Sequence, residues 1–267
     1  MKIIMDGKEV MAEPGQTIVE VARRNGIDIP TLCHVPGLEP AGMCRVCTVE
    51  LTEHRRTRLV TSCNYPLRGD AEIHTDTPRL RQGRKMAIEL LSSRCPGSTV
   101  LKDLADRYGA DVNRFPADDK GCIMCGLCAR VCERVGGNVL SLSGRGVEIT
   151  VDTFMGRLSP DCIGCGACAQ ICPVNAIRIE DIDGFRRVLV KGKETSRIPL
   201  RRCTSCGIYF GPVIDLNLVM NRAGESGVPV PNVSVCPSCS RRNLARRLLE
   251  RHFEQYEIAA FEAAVES

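Results

Sequence analysis

The 267-residue chain is 43% hydrophobic and 25% charged, carries a formal net charge of +4 and contains no tryptophan. At roughly 100–200 residues per domain, it makes two or three small domains with modest cores. No apolar run approaches the ~20 residues that span a bilayer, and Asp6-Gly7 interrupts the start too early for a signal peptide. A cytoplasmic chain without a transmembrane segment is expected, in which 17 cysteines point to metal rather than to disulfides.

From the N-terminus, residues 2–5 and 8–11 flank Asp6-Gly7, a hairpin signal between short apolar runs. Thr17 to Asn25 reads as a short helix with Thr17 as N-cap, Glu20 in the first turn and Gly26 ending it. A Pro/Gly-rich loop then carries Cys33, Cys44 and Cys47 into a strand, and Cys63 follows the strand-like run Leu59–Ser62. The spacing C-x10-C-x2-C-x15-C suits a [2Fe–2S] centre or a zinc site on a long loop. Two helices are predicted next, at about 79–93 and 99–108.

The middle of the chain repeats itself. CIMCGLCARVC (122–132) and CIGCGACAQIC (162–172) are identical at seven of eleven positions. C-x2-C-x2-C-x3-C is the spacing of two-cluster ferredoxins. Three thiolates on a tight loop grip one cubane, and the fourth, on the helical turn beyond, reaches across to its neighbour. Cys122, Cys125, Cys128 and Cys172 are therefore expected around one [4Fe–4S] cluster, and Cys162, Cys165, Cys168 and Cys132 around the other. Gly126, Gly164 and Gly166 would let the backbone approach the sulfides.

Residues 5–50, from MDGKEV to CRVCTVE, resemble the N-terminal [2Fe–2S] domain of a large family, and the likeness extends over about residues 1–190. That family includes the iron–sulfur subunit of respiratory complex I, the N-terminal region of iron-only hydrogenases and the small diaphorase subunit of NAD-reducing hydrogenases, with related formate dehydrogenases. The resemblance implies an α+β chain: a β-grasp ferredoxin domain followed by a two-cluster ferredoxin-like domain. It also implies that Cys33, Cys44, Cys47 and Cys63 ligate the [2Fe–2S] cluster. Many relatives hold a further cubane with one histidine and three cysteines on the connecting helices. Here that stretch offers only Cys95 and no histidine, so this cluster is expected to be absent and Cys95 to be an ordinary small buried residue.

Cys203, Cys206, Cys236 and Cys239 form two CxxC pairs separated by 29 residues. Two such turns complete a tetrahedral thiolate site for zinc, with a further iron–sulfur cluster or a single iron as alternatives. The gap contains GESGVPVPN, read as a flexible loop. Beyond it, residues 241–267 form a helix with Leu244, Leu248, Phe253, Tyr256 and Ala260 roughly on one face, docked on its own domain or on a partner. The expected domains are 1–76, a helical linker 77–114, 115–190, a zinc-ribbon-like 191–240 and the docking helix 241–267. His34, His54, His74 and His252 read as surface residues, His34 being next to Cys33.

Metal-bound thiolates carry charge that the formal count omits. Four sites at about −2 each turn +4 into roughly −4, which weighs against nucleic acid as a partner. With no dinucleotide fingerprint and no P-loop in the sequence, the expected role is an electron-transfer subunit. Its partners would be a flavin/NAD(P)-binding subunit and a catalytic subunit of hydrogenase or formate dehydrogenase type. A freestanding redox carrier and a redox-sensing regulator that binds nucleic acid are the alternatives.

Overall fold

The computed structural model describes residues 1–213 and 234–265, with side chains in the last helix described to Arg251. The GESGVPVPN loop, His252, Phe253, Tyr256 and Ala260 lie outside the described loops and side chains. The chain is α+β and divides into two units, Met1–Glu180 with Val188–Arg197, and Asp181–Arg187 with the residues from Ile198 onward.

In the first unit, β1 (Lys2–Met5) and β2 (Lys8–Met11) pair antiparallel across Asp6-Gly7, both with positive φ as a tight hairpin turn requires. Helix α1 (Ile18–Arg24) starts where the Glu20 carboxylate accepts from Thr17 N at 2.8 Å. Its apolar side, Ile18, Val19, Val21 and Ala22, is buried. Strands β3 (Thr48–Glu53), β4 (Arg56–Thr61) and β5 (Ala71–His74) complete a five-stranded sheet in the order β2-β1-β5-β3-β4, with β5 parallel to β1. This is β-grasp topology: the helix covers one face, and Ile3, Met5, Ile18, Leu51 and Ile73 form a fully buried core.

Helices α2 (Pro78–Arg94) and α3 (Thr99–Tyr108) pack together and match the expected linking helices within one residue. Thr77 and Ser98 cap them through hydrogen bonds from Leu80 N and Leu101 N, and Gly109 ends α3 in the left-handed conformation. Cys95 closes α2. It is 4% exposed, lies in an apolar cluster with Leu101, Ile123 and Leu127, and burial pushes its thiol up to about 12. A thiol so protonated is a poor nucleophile. Cys95→Ala is expected to leave total iron unchanged by metal analysis; a drop of about four irons per chain would make it a cubane ligand.

Helices α4 (Leu127–Arg134) and α5 (Ala167–Gln170) pack against each other, with β6 (Ser141–Ser143) and β7 (Thr150–Asp152) paired between them in sequence. Strands β8 (Ile177–Ile182), β9 (Phe185–Val190), β10 (Lys193–Arg202) and β11 (Tyr209–Pro212) follow in the sheet order β11-β10-β9-β8. Helix α6 spans Pro237–Val265, and Leu244, Leu248 and Leu249 on it are exposed. Among the described residues, nothing covers this part of the expected apolar face. No helix among the described residues is long and apolar enough to cross a membrane.

Candidate metal centres

The Gly26–Cys47 loop and the turn after β4 carry the first four cysteines, Cys47 and Cys63 packing in the core of the sheet and Cys33 and Cys44 in the neighbouring apolar cluster. Cys33, Cys44, Cys47 and Cys63 are all buried, at 5% exposure or less. Cys33 Sγ accepts from Cys44 N at 3.5 Å, and Ser62 N donates to Cys47 O at 3.1 Å, tying the two arms of the site. Side-chain hydrogen bonds run from Cys44 and Cys63 to Cys33 and join Cys63 to Cys47, so each sulfur touches another of the set. Those hydrogen bonds hold the Cys33 thiol far below its ordinary range and push Cys44 and Cys63, which donate, upward. Four buried thiols sharing protons form a donor set suited to cationic iron.

The two repeats fold alike. Met124 and Gly164 occupy the same motif position with φ of 55° and 63°, and Gly126 and Gly166 precede their helices with φ of 70° and 77°. This left-handed pair curls three cysteines into a loop before the helix carries the fourth away. Cys128 and Cys132, one helical turn and about 6 Å apart along α4, line different cavities. Cys122, Cys125, Cys128 and Cys172 line one, with Ile177 and Val190. Cys132, Cys162, Cys165 and Cys168 line the other, with Val188 and Ser196. Backbone N–H groups donate to sulfur at both: Met124 N to Cys122 at 3.4 Å, Ala176 N to Cys172 at 3.2 Å, and Val139 N to Cys132 at 3.3 Å.

The cavities differ in exposure. Around the first, Cys122, Cys125 and Cys128 are buried and Cys172 is half-buried, whereas around the second Cys132, Cys162 and Cys168 are half-buried and Cys165 is exposed. Burial first, then neighbouring thiolates, push Cys128 and Cys168 each up to about 12. Without metal these thiols stay protonated at neutral pH. Loading iron into the metal-free chain at about pH 7.5 is therefore expected to acidify a weakly buffered solution, with proton release tracking cluster formation.

Both cavities fit an inorganic cluster by the polar atoms around them. Ser196 is 1% exposed, and its Oγ lacks a hydrogen-bond partner among the described residues while the residue lines the second cavity. A buried hydroxyl of this kind is a ready donor to a sulfide or thiolate. Ser196→Ala is expected to lower the midpoint potential of that centre alone in a redox titration followed by EPR. Unchanged potentials would remove Ser196 from its surroundings.

The last four cysteines lie in the second unit and are grouped more tightly. The sulfurs of Cys203, Cys206, Cys236 and Cys239 all lie within 4.8 Å of one another, and Cys206 and Cys236 are 3.8 Å apart. A tetrahedral ion with metal–sulfur bonds of about 2.3 Å places its ligands about 3.8 Å apart. The knuckles are cross-braced by Thr204 N donating to Ser234 O at 3.0 Å and Cys236 N donating to Cys203 Sγ at 3.3 Å. That backbone N–H lowers the Cys203 thiol to about 6. The spacing suits one ion.

Residues 1–78 match the family described as 2Fe-2S iron-sulfur cluster binding domain, and residues 161–208 match the 4Fe-4S dicluster domain. The second match begins at the second repeat and takes in Cys203 and Cys206, leaving Cys122–Cys132 outside it. The NADH-ubiquinone oxidoreductase 78 kDa subunit of Candida albicans is 29% identical over 59% of the chain. A subunit of the NADH-quinone oxidoreductase of Rickettsia prowazekii is 30% identical over 58% of it. The chain resembles the iron–sulfur subunits of NADH-linked oxidoreductases. The matches span only 25% and 26% of those relatives' lengths. A chain in the crystal structure of NAD+-reducing [NiFe]-hydrogenase in the H2-reduced state aligns with a TM-score of 0.56 and 26% identity, covering 65% of this chain and 85% of that one.

Two residues around the sites escape a reading by motif. Ser196 lies in a strand with no cysteine near it in sequence. Arg130 lies inside the first repeat, where the second repeat has Gln170. The mismatch between otherwise similar repeats is the signal that could have drawn attention to it.

Proposed function

We propose that the chain is the electron-transfer subunit of a multisubunit oxidoreductase, carrying one [2Fe–2S] and two [4Fe–4S] clusters and one zinc. Cys33, Cys44, Cys47 and Cys63 would hold the binuclear cluster. Cys122, Cys125, Cys128 and Cys172 would hold the first cubane, and Cys162, Cys165, Cys168 and Cys132 the second. Cys203, Cys206, Cys236 and Cys239 would hold zinc, as the 3.8 Å sulfur separation supports. Domains 1–76, 77–114, 115–190, 191–240 and 241–267 follow these sets. When bound, the clusters supply one-electron carriers of fixed geometry. The chain's own residues keep the sulfurs in place, donate N–H groups to them and bury the [2Fe–2S] cysteines and Cys122, Cys125 and Cys128, while Cys165 and Cys206 face water.

The observation that carries this reading is the sorting of the eight repeat cysteines, in which Cys132 and Cys172 each line the cavity of the other repeat. Partners of flavin/NAD(P) and hydrogenase or formate dehydrogenase type are supported by the resemblance to NADH-linked and NAD-reducing enzymes, and a cytoplasmic location agrees with the reduced cysteines. Anaerobically prepared chain is expected to bleach reversibly with dithionite yet to oxidise neither NADH nor hydrogen by itself. Sustained turnover by the isolated chain would contradict a pure relay.

A further inference from the structure

The [2Fe–2S] loop and the first repeat meet at one side chain. Arg130, on α4, donates through Nη2 to Cys33 O at 2.7 Å and to Cys125 O at 3.1 Å, and through Nη1 to Glu39 O at 2.6 Å. One guanidinium nitrogen thus joins the carbonyls of a cysteine from each set and holds those oxygens within about 6 Å of one another. Beside it, Gly126 permits a close approach: a Cβ there would lie 3.2 Å from Sδ of Met43, the residue before Cys44. Cys33, Cys44 and Cys125 share one buried apolar cluster at the same place.

Arg130 is also a cation outside any ion pair among the described residues, although Glu39 and Glu133 line the same cavity. Its hydrogen-bond partners are backbone carbonyls, none of the ion pairs among the described residues includes it, and its Nε is buried with no partner among them. Arg130 is half-buried, and a positive charge held partly away from water favours the more negative, reduced state of a redox centre near it. The second repeat places neutral Gln170 at this position, and the three carbonyls that Arg130 reaches belong to the [2Fe–2S] loop and the first-cubane loop.

We infer that Arg130 is a positioning residue that clamps the [2Fe–2S] loop to the first-cubane loop and raises the potentials of both centres together, leaving the second cubane untouched. The inference rests on the cluster assignment above and adds a device that links two of the clusters. Lysine could keep the charge but could not span three carbonyls. Glutamine would make the first repeat resemble the second.

The test is a mediated dithionite titration of the anaerobic full-length chain, wild type, R130Q and R130K, followed by EPR. In R130Q the oxidised-to-reduced ratio of both the binuclear centre and the first cubane is expected to change about tenfold at fixed potential. For a one-electron couple that is a fall of about 59 mV in each midpoint. The second cubane should move by less than a third of this. R130K is expected to retain iron but to lose the magnetic broadening between the first two centres when both are reduced. Unmoved midpoints in R130Q, a shift in only one of the two, or an equal shift in all three would overturn the inference. If R130Q fails to hold iron, R130K decides: lost broadening supports the clamp and wild-type broadening overturns it. A wild-type chain without these signals overturns the cluster assignment as well, whereas wild-type signals beside an unresponsive R130Q overturn the clamp alone.

Discussion

Cys172→Ala, a change in the second repeat, is expected to abolish the cubane gripped chiefly by the first. Cys172 lines the cavity of Cys122, Cys125 and Cys128, while Cys132 lines that of Cys162, Cys165 and Cys168. Helix geometry causes the exchange. Cys132 sits a full turn beyond Cys128 on α4, Cys172 follows just past the end of α5, and α4 lies against α5, so each fourth cysteine meets the neighbouring loop. A cubane needs all four ligands to persist, so each single alanine variant should lose about four irons per chain. Double variants reveal the partition, because ligands of one centre are not additive. C122A/C172A should lose no more iron than C172A, about four. C162A/C172A should lose about eight. The reverse pattern would return each cluster to its own repeat.

Arg84→Ala is expected to be the costliest single change away from the cysteines. Arg84 is 3% exposed on α2, and its guanidinium donates to Val46 O at 3.2 Å, Thr48 O at 2.9 Å and Thr75 O at 2.7 Å. These carbonyls lie just before β3, at its first residue and just after β5, so one side chain ties the helix to two strand ends. Val46 precedes Cys47, which couples the clamp to the first metal site. The Tyr108 ring adds a face 5.7 Å from the guanidinium carbon. Alanine strands the carbonyls away from water and leaves the volume of the stem empty, a loss of about 3–5 kcal/mol. The measurement is the midpoint of guanidinium-induced unfolding of the metal-loaded chain, with iron release as a second readout. Methionine keeps the stem without the donors and should recover less than half of the loss. A cost below about 1 kcal/mol would show that water or a shift of α2 replaces the bonds.

Much of this architecture was legible because local signals and global packing agree. Asp6-Gly7, the Thr17 cap with Glu20, and the helices of the linker are written in short-range chemistry, and their boundaries fall within a residue or two. The turn between β3 and β4 was not legible, because His54 and Arg55 adopt left-handed φ of 48° and 62° where glycine or asparagine would be expected. The β8–β10 hairpins did carry readable turns, Asp183-Gly184 and Lys191-Gly192, both with positive φ. Their importance lies in Ser196 and the cavity walls, which only tertiary structure reveals. Helix α6 shows the limit of periodicity. Its leucines recur at helical spacing, yet Leu244 and Leu248 remain exposed because nothing in the described chain covers them.

The cysteines were legible by spacing, and the folded chain groups them into three sulfur-lined sites and one compact four-sulfur site. Arg130 and Arg84 were not, because both act by donating to backbone carbonyls, which leaves no pattern along the chain. Their roles come from where α4 and α2 happen to pass.

Metal analysis of the anaerobically purified chain, combined with EPR of its reduced form, tests the assignment most directly. About ten irons and one zinc per chain are expected, with one binuclear and two cubane signals. Zinc at all four sites, or cysteines joined to one another as disulfides, would contradict it.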